Sequence, residues 1–276
     1  MDEATPVLEA ARTHGRDRYL SALLAPADAQ QDLVVLAAYL GELARIPLST
    51  RQAEVGEIKF QWWRDALSSG ATSGHPVADA VLALAERKSL SSDLVLAPIE
   101  GYSRELYEDG ISDVPELSQY AQETDGAAIR LALAIAEDDG NNSAEPSIEP
   151  AGRALALTRL ALTLPQHVAH GRLPLPVDFI EQAGDPRSLG PVEASAAARR
   201  LSELLADGAI QELATFRAGQ QNLARGAFSA FLPLCLVEPY LKAVLKPKRD
   251  VLRDAADISP LSRVMRLWFA HWRGRV

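Results

Sequence analysis

The sequence predicts an all-α protein, a single-domain bundle of about ten helices spanning 1–276. Three observations predict it. Apolar residues recur at three- and four-residue steps along nearly the whole chain. Convincing two-residue alternation is missing, and Asp109-Gly110 and Asp207-Gly208 both sit between helical patterns rather than between strand-like runs. The polar stretches 68–76, 138–150, 184–192 and 246–260 read as loops, none long or biased enough to be a flexible interdomain linker.

Taken in order, a helix over about 50–69 follows Ser49 and Gln52, which have the spacing of a capping box. Within it, "EIKFQWWRDAL" (57–67) sets Trp62 and Trp63 on adjacent faces, one to pack inward and one to lie against a neighbouring helix. In 113–137, Leu117, Tyr120, Ala121, Thr124, Ala127, Ala128, Leu131 and Ile135 form one stripe. Asp113 with Glu116, around Pro115, marks where that helix begins. In "AGRALALTRLALTL" (151–164) the apolar residues run almost all the way round, the mark of a buried central helix. Yet it carries Thr158 and Arg159. A guanidinium there must reach a carboxylate, a bound anion or the surface, so a structural ion pair and an anion-facing cavity both stand as readings.

The last helix, in "ISPLSRVMRLWFAHWRGRV" (258–276), places Leu261, Val264, Leu267 and Trp268 on a stripe that Trp272 extends, with Arg263, Arg266, Arg273 and Arg275 around it. Two readings fit: a basic helix in contact with an anionic membrane surface through 261–275, or a terminal core helix with snorkelling arginines.

Composition bounds the function. A formal charge of -9, from 28 basic and 37 acidic residues, argues against nucleic acid as a partner, because neutralising phosphates needs a basic surface. The single cysteine, Cys235, sits in the apolar run "FLPLCLVEPYL" and reads as a buried, inert thiol in a reducing compartment. The N-terminus is acidic and without an apolar stretch, and no run approaches the ~18 apolar residues of a spanning helix. The expected location is cytoplasmic, with peripheral contact at the inner membrane as the extension the last helix allows.

Three stretches, in their order and spacing, carry a family resemblance: "RDRYLSALLAPADAQQDLVVLAAYLGELARI" (16–46), "EIKFQWWRDAL" (57–67) and "AGRALALTRLALTLPQHVAHGRLPLPVDFI" (151–180). Together they resemble the squalene/phytoene synthase family, and "FLPLCLVEPYL" (231–241) and "ISPLSRVMRLW" (258–268) look like its C-terminal helices. The resemblance implies an isoprenoid-synthase-type bundle around a central cavity. It also implies head-to-head condensation of prenyl diphosphates, with two aspartate-rich motifs on facing helices holding Mg²⁺ against the diphosphate. Counted from Tyr39, the first aspartate positions fall on about Ala44, Arg45 and Leu48; counted back from Gly171, the second fall near Thr163 and His167. Neither set is acidic, and the nearby Glu42 and Glu54 lie outside the spacing.

The departure has a likeness of its own. Pro165 and His167 before Leu175, Pro176 and Asp178 are similar to a divergent branch without the aspartates, one that includes a mitochondrial respiratory complex I assembly factor. The resemblance then implies a non-catalytic protein that helps build NADH:quinone oxidoreductase. Complex I subunits or assembly intermediates would be its partners, no cofactor is expected, and an isoprenoid- or lipid-binding cavity would be what survives of the enzyme. The alternative is an active prenyltransferase with a rearranged diphosphate site, which would require Mg²⁺.

The candidate cavity or diphosphate-binding residues follow. Arg18 and Tyr19 fall near the family's first diphosphate-contacting segment. Glu57, Gln61 and Arg64 share one helix face that either lines a cavity or meets solvent. Arg159, His167, His170 and Arg172 offer cations that would bind a diphosphate without metal. The two histidines have other readings: cationic caps of the 151–170 helix, or metal ligands, for which no third or fourth ligand is in place. No residue is assigned a catalytic or metal-binding role.

Overall fold

The structure, a computed structural model, describes residues 4–108, 110–136, 144–220, 223 and 227–276. Among them the chain is helical and without strands: α1 (Ala4–His14), α2 (Arg16–Ala22), α3 (Ala27–Ser49), α4 (Ala53–Ser68), α5 (Pro76–Arg87), α6 (Ser92–Ser103) and α7 (Val114–Ala121) come first. Then follow α8 (Ala127–Ala136), α9 (Glu145–Ala169), α10 (Val177–Ala183), α11 (Pro191–Gly219), α12 (Phe228–Phe231), α13 (Val237–Val244) and α14 (Pro260–Arg273). The buried α9 lies along α11 and also meets α7 and α13, while α3 packs against α1, α2, α5, α6 and α8.

The expected stripe over 113–137 is buried at all eight positions. The rod is not a uniform helix, however: residues 122–126 form a single π-helical turn between α7 and α8. Such a turn inserts one extra residue and re-aims the side chains around it. Asp113 caps the rod as expected, its Oδ1 accepting from the Glu116 N–H at 2.8 Å, and Glu116 reaches back to the Ser112 N–H at 2.7 Å. Asp113→Ala is expected to cost about 1 kcal/mol, read as a lower urea midpoint with an unchanged denaturant slope.

Two local expectations are corrected. Ser49 and Gln52 do not form a capping box; Ser49 closes α3, its hydroxyl donating to Ile46 O at 3.3 Å, and Gln52 caps α4 without a side-chain hydrogen bond. The loop expected over 138–150 is helical from Glu145 onward. Pro146 suits the first turn, where a missing N–H costs nothing, and Ile148 and Pro150 are buried. The rest of that stretch, 138–143, lies outside the described residues apart from Ala144 beside it.

Trp63 packs inward against Tyr39, with ring centroids 5.4 Å apart, while the more exposed Trp62 meets it edge-on and touches His75. Cys235 sits in the short 3₁₀ segment 232–236, and burial pushes its thiol up to about 12, as an unreactive thiol requires. No helix among the described residues is long and apolar enough to cross a membrane.

Candidate functional site

The cavity of interest, about 290 Å³, lies between α3 and α9 and is closed off by α2, α13 and the start of α14. From α3 it receives Leu40, Gly41 and Ala44; from α9 it receives Leu155, Thr158, Arg159 and Leu162. These steps of three and four keep each set on one helix face. The resemblance expects its aspartates at about Ala44, Arg45 and Leu48 on α3 and near Thr163 and His167 on α9. The two cavity-facing helix surfaces instead present one guanidinium, one hydroxyl and no carboxylate. Thr158 is turned back to its own helix, donating to Ala154 O at 2.7 Å.

Arg159 decides between its two readings by geometry. Its Nη1 lies 2.6 Å from Glu105 Oε1, its Nε 3.3 Å from Asp125 Oδ2, and its Nη2 donates to Tyr120 Oη at 2.6 Å. Tyr120 in turn donates to Glu105 Oε1 at 2.7 Å, and Arg18 reaches Asp125 Oδ1 at 2.6 Å. The guanidinium carbon stands 4.6 Å above the Tyr102 ring. Arg159 is therefore an internal ion pair that also forms part of the cavity wall. The network joins α2, the 3₁₀ turn at 104–106, α7, the π turn and α9.

Glu105 is fully buried. Burial alone would raise its carboxyl, but Arg159, His167 and Tyr120 outweigh that and hold it at about 2. The folded carboxyl thus binds its proton more weakly than the unfolded one, near 4.3. Its stabilisation is complete above about pH 4.5 and is lost as pH falls toward 2. The urea midpoint is expected to fall across that window, and Glu105→Gln should flatten the fall.

His167, buried in the last turn of α9, has its Nε2 3.1 Å from Glu105 Oε2, out of line for a hydrogen bond but close enough for charge contact. His170 caps α9. Burial and Arg172, whose Nη2 stands 3.0 Å from His170 Nδ1, push its imidazole down, which disfavours the cationic form of that cap. Gly171 takes φ +73°, and the bonds from Arg172 N to His167 O and from Gly171 N to Val168 O complete a Schellman closure of α9. That placement delivers Arg172 into the core, where Nη2 donates to Pro47 O at 3.0 Å and also to Thr50 O. Its Nη1 faces Glu105 O at 3.4 Å. Arg172 stitches the end of α9 to the end of α3, satisfying carbonyls the helix leaves free.

The remaining candidates separate. Arg18 lines the cavity; Tyr19 packs half-buried against the core and is not part of the lining. Glu57, Gln61 and Arg64 stand together on α4 away from the cavity: Arg64 binds Glu57 at 2.7 Å and Glu100 at 2.7 Å, and Gln61 donates to Asp65 at 2.8 Å. His167, His170 and Arg172 lie behind the wall rather than in it.

A second cluster closes the cavity at the other side; of its members the sequence pointed only to Arg263, as an arginine flanking the last helix's stripe, and not to Asp17, Tyr240 or Asp257. Arg263 contacts Asp17 Oδ1 at 2.7 Å and Asp257 Oδ1 at 2.6 Å, and Tyr240 donates to Asp17 Oδ2 at 2.6 Å. Burial raises the Asp17 carboxyl in spite of these partners. The Mg²⁺ cluster implied by the resemblance does not fit these residues. Among the described residues no three His, Cys, Asp or Glu side chains converge on one point. The wall's two carboxylates, Asp17 and Asp125, are both in arginine contact.

The sequence pattern of squalene/phytoene synthases matches residues 11–262. A mouse (Mus musculus) protein named "NADH dehydrogenase (ubiquinone) complex I, assembly factor 6" is 23% identical over 272 residues, covering 97% of this chain and 81% of its own. Squalene synthase HpnC from Alicyclobacillus acidocaldarius superposes with a TM-score of 0.59 at 18% identity, over 88% of this chain and 94% of its own. A dehydrosqualene synthase solved in complex with ligand superposes with a TM-score of 0.67 at 14% identity, over 98% and 96%. At these identities the superpositions establish the fold, an all-α isoprenoid-synthase bundle.

Proposed function

The chain belongs to the squalene/phytoene synthase family, and on that premise we propose that it is a non-catalytic member that serves the assembly of respiratory complex I, with the cavity kept as an isoprenoid- or lipid-binding pocket. One observation carries this reading: the facing surfaces of α3 and α9 bring no carboxylate to the cavity. A diphosphate leaves only when its charge is neutralised, and hard Mg²⁺ takes carboxylate oxygens to do so. Three of the four arginines on the wall are poor substitutes: Arg18 and Arg159 share Asp125, Arg159 also holds Glu105, and Arg263 holds Asp17 and Asp257. The fourth, the exposed Arg16, is a single cation against the charge of a diphosphate. The likeness to a complex I assembly factor over nearly the whole chain supplies the direction of the proposal.

The test is a clean deletion of the gene in its own organism. Membranes are then examined for NADH:quinone oxidoreductase activity and, by native electrophoresis, for assembled complex. Loss of both, restored by the wild-type gene, is the expected result. Normal assembly in the deletion strain would contradict the proposal.

A further inference from the structure

We propose that α14, with the adjoining end of α2, is a docking face for an anionic lipid bilayer. The stripe expected on this helix is divided by the fold. Arg263, Leu267 and Ala270 are buried, while Leu261, Val264, Met265, Trp268, Phe269 and Trp272 face outward. Leu261 is 72% exposed and Trp272 68%, large values for apolar side chains on a single helix. The outward residues recur at steps of three and four, so they form one continuous strip. Across a groove of about 440 Å³ the strip meets Leu23 and Leu24 of the α2 end, which extends it beyond the helix itself.

The inner face is pinned, so the strip cannot simply rotate inward. Arg263 is held by Asp17, Asp257 and Tyr240, and Leu267 and Ala270 pack in a small cluster with Phe228, Leu232 and Leu236.

Charge selects the occupant. Residues 258–276 carry no acid, and beside the inward-held Arg263 they carry Arg266, Arg273 and Arg275, in a chain whose formal charge is -9. At 100° per residue, Arg266 and Arg273 border one edge of the strip and His271 the other. Arg273 lies over the Phe269 ring at 3.9 Å, which keeps its charge beside the apolar strip. Trp268 and Trp272 stack with centroids 6.4 Å apart along the strip. Tryptophans and leucines flanked by cations suit the boundary between acyl chains and anionic headgroups. The rest of the acidic molecule is repelled by that surface, so one orientation is favoured. A second copy docked through the same face would set the arginine row against the partner's own row or against its His271 edge, and residues 258–276 offer no acid to either.

The inference does not depend on the assembly role and is tested with purified full-length protein. Flotation is measured with vesicles of phosphatidylcholine alone and with about 30% phosphatidylglycerol, and tryptophan emission is followed with brominated acyl chains. Expected is flotation on the anionic vesicles that falls with added salt, and bromine quenching of tryptophan emission. Trp268→Ser with Trp272→Ser should weaken partition roughly tenfold or more, and Arg266→Glu with Arg273→Glu should remove the preference for anionic lipid. Because these side chains are exposed, an unchanged circular dichroism spectrum and melting temperature identify folded variants. No flotation on either vesicle would overturn the proposal. So would equal flotation of the double tryptophan variant, or a concentration-dependent dimer abolished by that variant without lipid binding.

Discussion

Arg159→Met is expected to remove about 3–5 kcal/mol of folding stability. The substitution keeps the apolar stem but leaves the fully buried Glu105 with only Tyr120 and His167, and Asp125 with Arg18 alone. A buried charge stripped of its partner costs far more than the pair contributed. Domains of this kind hold about 5–15 kcal/mol in all, so the variant should sit close to unfolding. Arg159→Lys is expected to fall between, because one ammonium cannot span Glu105, Asp125 and Tyr120 as the guanidinium fork does. Adding Glu105→Gln to Arg159→Met should recover part of the loss, since the stranded charge is gone. Equilibrium urea denaturation of the four proteins measures all of this. Equal midpoints for wild type and Arg159→Met would contradict the ion-pair account.

Gly41→Val should be the second severe substitution. A methyl group at residue 41 would sit 2.6 Å from the His14 carbonyl carbon and 2.7 Å from the Gly15 nitrogen, both backbone atoms at the α1–α2 junction. From the other side, a methyl at Gly15 would stand 2.0 Å from Ala37 O. Two glycines thus let that junction ride directly on α3. Because His14–Arg18 and Leu40, Gly41 and Ala44 line the same cavity, this approach also sets the cavity wall. Overpacking of this kind costs about 1–3 kcal/mol for Gly41→Ala, and more for valine, whose second branch has no room. The expected readout is a lower melting temperature, graded from alanine to valine.

The helices were legible because their signal is periodic. The stripe from Leu117 to Ile135 and the Asp113 cap are local patterns, and packing kept them. The π turn was not legible. It sits inside a run whose apolar steps of three and four continue unbroken through Thr124, so nothing in the spacing reveals the extra residue that brings Asp125 to Arg18 and Arg159. Glu105 was hidden for another reason: "SRELYED" has no periodicity, and its burial makes sense only once Arg159 and His167 face it across the core.

Residue type also said less than chain geometry did. Arg172 belongs to a segment read for anion binding, yet the Schellman closure at Gly171 turns it inward to cap α3. On α14, amphipathicity revealed an apolar stripe but not which part of it the protein would use. The ion pairs of Arg263 fix that, burying Leu267 and Ala270 and leaving the tryptophans outside.

The most direct test of the central claim is release of diphosphate from farnesyl and geranylgeranyl diphosphate by the purified protein, with and without Mg²⁺, with extraction of any hydrocarbon product. No release above the protein-free rate is predicted under either condition, at protein concentrations where a true synthase would consume its substrate. Mg²⁺-dependent release that Arg18→Ala or Asp125→Asn abolishes would contradict the account, and would mean that chemistry proceeds at the cavity without carboxylates on α3 and α9.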